Sequence, residues 1–213
     1  MHIGSVKEVA NSKVENAGNF LLFSDPGRDL DDELSIALIS SWYKDKSRER
    51  PVEFLGVITS FGDTPLRARL CRGTLDVLGM GKVPVGEGAA DPTIGNTCST
   101  TFADNYLPSK DWKPYDAQSL LEKIYRAAED NSIDVCLIAS MTDFAEFVEQ
   151  EPDLFTAKTR RVNVMGGALP REDGASPDTY LEPDDSYNCF CDEDASELTY
   201  QKCQVRGCES RSG

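Results

Sequence analysis

The stretch Ser24-Asp25-Pro26-Gly27-Arg28-Asp29-Leu30-Asp31-Asp32 follows directly on the apolar run Phe20-Leu21-Leu22-Phe23. The apolar run reads as a buried strand, Pro26-Gly27 supplies a turn, and Asp31-Asp32 opens a helical pattern carried by Leu34, Ala37, Leu38, Ser41 and Trp42. Carboxylates at a helix's amino end are favoured by its dipole. Four acids within eight residues nevertheless repel one another unless a cation neutralises them, and hard cations such as calcium take carboxylate and carbonyl oxygens. The acids fall at the carboxyl end of a strand, where open α/β sheets bind ligands, and they point to a metal or sugar site. An acidic turn that merely caps a helix is the alternative, although a cap needs only one acid.

Outward from this stretch, apolar runs and helical spacing alternate. Strands are expected near 19–24, 52–60, 133–139 and 160–165, with a short one near 83–86. Helices are expected over 31–44, 64–79, 116–130, 143–157 and 192–202; Leu66, Leu70, Val77 and Leu78 mark the second. Near-continuous apolar strands such as Val135-Cys136-Leu137-Ile138-Ala139 suit a parallel sheet covered on both faces. The fold class is therefore α/β, a mostly parallel Rossmann-like sheet with helices on both faces. Asp25, Asp63, Thr142 and Gly166-Gly167 each follow an expected strand, and a parallel sheet brings such positions to one edge. Two polar segments, 87–115 and 166–187, read as long functional loops.

The chain has 213 residues, enough for one α/β domain and too few for two comfortable ones. We expect a polar flexible tail over 1–18, one domain over 19–203 and an irregular tail over 204–213. The net charge of -15 argues against nucleic acid or an anionic membrane as partner, because neither finds a basic patch here. Seven cysteines, an odd number scattered through strand and helix patterns, suggest a reducing compartment, with the cytoplasm as the default location. No apolar signal core and no membrane-length run is present. The single histidine, His2, excludes a Ser-His-Asp triad. Cys189, Cys191, Cys203 and Cys208 lack the paired spacing of a zinc knuckle.

The Asp-Pro-Gly, spacer and Asp-Asp arrangement resembles the signature of the inosine-uridine preferring nucleoside hydrolase family. Three further segments match in order: Gly56-Val57-Ile58-Thr59-Ser60-Phe61-Gly62-Asp63, Ile138-Ala139-Ser140-Met141-Thr142-Asp143-Phe144 and Val162-Asn163-Val164-Met165-Gly166-Gly167-Ala168, with a weaker one at Tyr187-Asn188 and Cys191-Asp192. The resemblance implies calcium-dependent hydrolysis of the N-glycosidic bond of ribonucleosides. By resemblance, Asp25 binds calcium and takes the proton of the attacking water. Asp32 and the backbone carbonyl of Thr142 are the further metal ligands. Asp31 and Asn188 hold the ribose hydroxyls, Asp63 stands where the family commonly has Asn, and Met165 lines the sugar pocket. A small-molecule ribonucleoside is then the partner, with a homo-oligomer as a further expectation.

The chain also departs from the family pattern. Ser186 stands where the family often has Glu, Phe23 replaces an early Asp, and Asp29 belongs to a longer spacer than the usual one. The family's late calcium-ligating Asp has no counterpart, so the reading is of a member lacking the C-terminal part. A catalytically weak or inactive homologue acting in ligand binding or assembly is the alternative. A magnesium phosphohydrolase is a third reading, and it lacks a basic phosphate clamp. Asn188 as a turn or cap amide and Thr142 as an ordinary N-cap remain open readings of those residues.

Overall fold

A computed structural model describes residues 18–49, 51–90, 107–170 and 181–209. Most of the expected N-terminal tail with His2, the middle of each long loop, and residues 210–213 lie outside the described residues.

Six strands form one parallel sheet: β1 (Asn19–Ser24), β2 (Glu53–Thr59), β3 (Val85–Glu87), β4 (Tyr115–Asp116), β5 (Ile133–Leu137) and β6 (Thr159–Val164), in the order β4-β3-β2-β1-β5-β6. The helices are α1 (Asp31–Lys44), α2 (Thr64–Val77), α3 (Ala117–Ala127), α4 (Thr142–Gln150), α5 (Pro152–Lys158), α6 (Tyr187–Phe190) and α7 (Glu193–Glu209). A separate antiparallel pair, β7 (Ala168–Pro170) and β8 (Leu181–Pro183), lies within the second expected loop.

Side chains alternate across a strand, so adjacent apolar residues of one strand serve two cores. Leu22 and Val57 pack with Ile36 and Ile39 of α1 and Cys71 and Leu75 of α2. Leu21, Phe23 and Ile58 face the opposite side, against Leu121, Tyr125, Phe144 and Phe147. This is why β1 reads as an uninterrupted apolar run: both of its faces are covered.

Several boundaries differ from the sequence reading. The single helix expected over 143–157 is two, because Pro152 lacks the N–H needed to continue a helix and instead opens α5 at its first turn. The helix expected over 116–130 ends at Ala127, after which Ala128 is extended and Asn131 takes a positive φ of 51°. The tail expected to be irregular from 204 is a correction: α7 continues through Glu209. Gln204 is fixed there by side-chain hydrogen bonds to Leu181, an anchor that apolar periodicity does not register.

Candidate active site at the carboxyl edge of the sheet

The central strands end level with one another: Ser24 pairs with Thr59, Phe23 with Leu137, and Leu137 with Val164. Register alone therefore carries Asp25, Ser60, Thr142 and Met165 out on the same edge.

The acidic turn is built by its own hydrogen bonds. Asp32, 4 % exposed at the start of α1, accepts from the Ser24 hydroxyl at 2.6 Å and from the Asp25 backbone N–H at 3.0 Å. Gly27 makes the bend possible with a φ of 109°, a region closed to most L-residues. Burial, joined by the neighbouring Asp25 charge, pushes the Asp32 carboxyl up to about 7. Burial also raises Asp25 to about 6, against the opposing pull of the Arg67 guanidinium. A buried acid beside a largely buried one creates the electrostatic condition that a bound cation relieves, so the donor chemistry of Asp32 and Asp25 fits a hard metal ion. The third expected ligand is the Thr142 backbone carbonyl, which the bond from its hydroxyl to Asp192 at 2.6 Å leaves unused. Among the described residues no group of three or more His, Cys, Asp or Glu is placed to hold a metal.

The other expected site residues lie at the ends of neighbouring elements. Asp63 closes the loop after β2 and caps α2, its Oδ1 accepting from the Leu66 N–H at 3.1 Å. Asn188 lies in α6 and donates its amide to the Met165 carbonyl at 3.1 Å, tying α6 to the end of β6. Met165 is 43 % exposed and free to meet a ligand. Asp31 is half-buried in the first turn of α1. Thr142 is the first residue of α4 and not its N-cap, which is Met141.

Several residues escaped the sequence reading as members of the site. Arg67 of α2 is 1 % exposed; its Nη1 donates to the Pro26 carbonyl at 3.0 Å and lies 3.4 Å from Asp25 Oδ2. A signal for it existed: Arg67 occupies the buried helical stripe continued by Cys71 and Leu75. Asp143 is buried, accepts from the Ser60 hydroxyl and from the Ala89 N–H at 2.8 Å, and its carboxyl is raised by that burial. Arg28 donates from the turn to the Tyr187 hydroxyl at 2.6 Å and lies 4.9 Å from that ring's centre, while Phe61 meets the same ring edge-on.

Two cavities lie away from the acidic turn. One of about 500 Å³ runs between α4 and α7 beside Thr142 and Asp192. Another, of about 640 Å³, opens among Asn19, Glu53, Leu55 and Ile124 at the amino ends of the strands, where no catalytic constellation converges. No described helix is long and apolar enough to cross a membrane.

A family model described as inosine-uridine preferring nucleoside hydrolase matches residues 20–209. No curated protein sequence matches the chain. Among solved structures, the chain is similar to the type III effector protein XopQ complexed with adenosine diphosphate ribose (23 % identity, TM-score 0.79, covering 91 % of this chain and 56 % of that one). It is likewise similar to the effector protein XOO4466 (23 %, 0.76, covering 91 % and 54 %) and to the plant nucleoside hydrolase PpNRh1 (18 %, 0.65, covering 86 % and 57 %). At these identities the likeness is one of fold. The chain spans a little over half the length of these structures.

Proposed function

The chain belongs to the inosine-uridine preferring nucleoside hydrolase family, and from that premise we propose that it hydrolyses the N-glycosidic bond of ribonucleosides with Asp25 as general base. The observation that supports this most directly is the placement of Asp25, Asp31, Asp32, Asp63, Thr142 and Met165 around the carboxyl edge of one sheet.

In this reading, water attacks the anomeric carbon as its proton passes to a carboxylate oxygen of Asp25. The new C–O bond forms while the C–N bond breaks, the bonding pair leaves with the base, and solvent protonates that base. A carboxyl raised to about 6 is closer to neutral pH than an ordinary one and is a better proton acceptor for that step. Asp31 and Asn188 accept from and donate to the ribose hydroxyls, and Met165 packs on the sugar. Asp25, Asp32 and the Thr142 carbonyl would hold calcium, which when bound orients the attacking water and lowers its pKa. The Asn188 amide keeps a second N–H and its oxygen for the sugar while one N–H stays on the Met165 carbonyl.

A second reading is favoured by the same polar bonds. With the Asn188 amide donating to the Met165 carbonyl and Asp63 Oδ1 accepting from the Leu66 N–H, two side chains of the expected site are partly engaged within the protein itself. Arg28, exposed on the acidic turn, adds a cation suited to an anionic ribosyl ligand. Together with the solved neighbour complexed with adenosine diphosphate ribose, this supports a weakly catalytic, ligand-binding protein.

The deciding experiment measures release of free base and ribose from common ribonucleosides by the protein and by Asp25→Asn. Hydrolysis with a loss of roughly 100-fold or more on substitution, and little change in ligand affinity, is the expected outcome. Ribose binding without release by the unmodified protein transfers the assignment to the second reading.

A further inference from the structure

Among the described residues, Arg67 brings a permanent positive charge to the acidic turn from inside the protein. It rises from the first turn of α2, is 1 % exposed, and touches two points of the turn at once: the Pro26 carbonyl at 3.0 Å and Asp25 Oδ2 at 3.4 Å. The loop after β2 closes over it. Gly62, with a φ of 68°, lies so that a side chain's first carbon there would stand 3.5 Å from Nη2. A guanidinium cannot shed its proton in a protein, so the charge it brings against Pro26 and Asp25 is permanent. Arg28, the cation on the turn itself, is exposed and directed to Tyr187 instead.

We propose that Arg67 is the resident counter-cation of this site: it holds Asp25 and the Pro26 turn in place before any metal arrives and sets how tightly a divalent cation binds. The inference rests on the reading of Asp25 and Asp32 as cation ligands. A second cation entering beside Asp25 meets a fixed charge in a region of reduced dielectric, so the site binds calcium more weakly than its acids alone would allow. For the same reason the folded turn persists in chelator, because Asp25 is not left as a lone buried charge.

The test is calcium calorimetry, with no substrate, on the unmodified protein, Arg67→Met and Arg67→Lys, together with melting in chelator of Arg67→Met and of Asp25→Asn/Arg67→Met. Arg67→Met is expected to bind calcium at least ~10-fold more tightly than the unmodified protein, with Arg67→Lys close to the unmodified value. In chelator, Arg67→Met melts lower than the unmodified protein, and adding Asp25→Asn restores part of the loss by removing the orphaned carboxylate. Equal or weaker calcium affinity in a folded Arg67→Met overturns the proposal, as does absence of calcium binding in both proteins. If Arg67→Met does not fold, recovery of folding in the double variant supports the proposal, and its failure to recover overturns it. None of these readouts depends on ribose release, so a protein that hydrolyses nothing still answers the question.

Discussion

Ser24 donates its hydroxyl proton to Oδ1 of Asp32 at 2.6 Å, joining the last residue of β1 to the first turn of α1 across the whole acidic turn. Both residues are buried, so water cannot replace the bond. A hydrogen bond to a charged or partly charged partner contributes more than a neutral one, and Ser24→Ala should cost about 1–3 kcal/mol in urea unfolding. Because the bond favours the ionised carboxylate, the same substitution should move the Asp32 titration upward when followed by NMR.

Stability should depend on pH in an unusual direction for carboxylates. Asp32 at about 7 and Asp25 at about 6 bind protons more tightly in the folded chain than at their ordinary value of 3.8. Their contribution to stability is therefore fully present below the ordinary value and is lost as pH rises through about 6 and 7. In chelator, the melting temperature should fall between pH 5 and pH 8, since each tenfold difference in proton affinity between the folded and unfolded chain corresponds to about 1.4 kcal/mol. Asp32→Asn should flatten the curve.

Calcium should reverse that penalty. A ligand bound only by the folded state stabilises it by mass action, about 2.7 kcal/mol at a hundredfold excess over its dissociation constant. Melting at pH 7.5 should rise with calcium and return with chelator, and Asp32→Ala should abolish the response. A melt indifferent to both additions in the unmodified protein removes Asp32 from the ligand set.

Sugar recognition is testable apart from turnover. Ribose-containing ligands should bind more tightly than their 2′-deoxy analogues, since loss of the hydroxyl leaves Asp31 and Asn188 with unmatched polar groups. Asn188→Ala should narrow the gap while also loosening α6 from Met165, seen as faster amide exchange at the end of β6. Equal affinity for the two sugars in the unmodified protein would count against both assignments.

The parallel sheet, and the edge on which the expected site residues fall, were legible in the residues because both rest on local pattern. Leu21-Leu22-Phe23 states that β1 is buried on two faces, and Asp25, Asp63, Thr142 and Gly166 follow their strands closely enough for strand register to gather them. Even the break between α4 and α5 was written in Pro152, where helical periodicity ran on past a residue that cannot donate.

What the tertiary structure alone decided is which polar groups are already engaged and which charge balances them. Nothing in the spacing of Asn188 or Thr142 indicates that their side chains meet Met165 and Asp192, whereas the Asp63 cap on Leu66 is a local bond three residues long. Arg67 lies 42 positions from Asp25 in the chain and reaches it only because α2 folds back beneath the turn after β1. Strand and helix patterns arise from neighbours within a few residues, whereas the electrostatics of a buried carboxylate depend on distance and dielectric in three dimensions, which sequence separation does not encode.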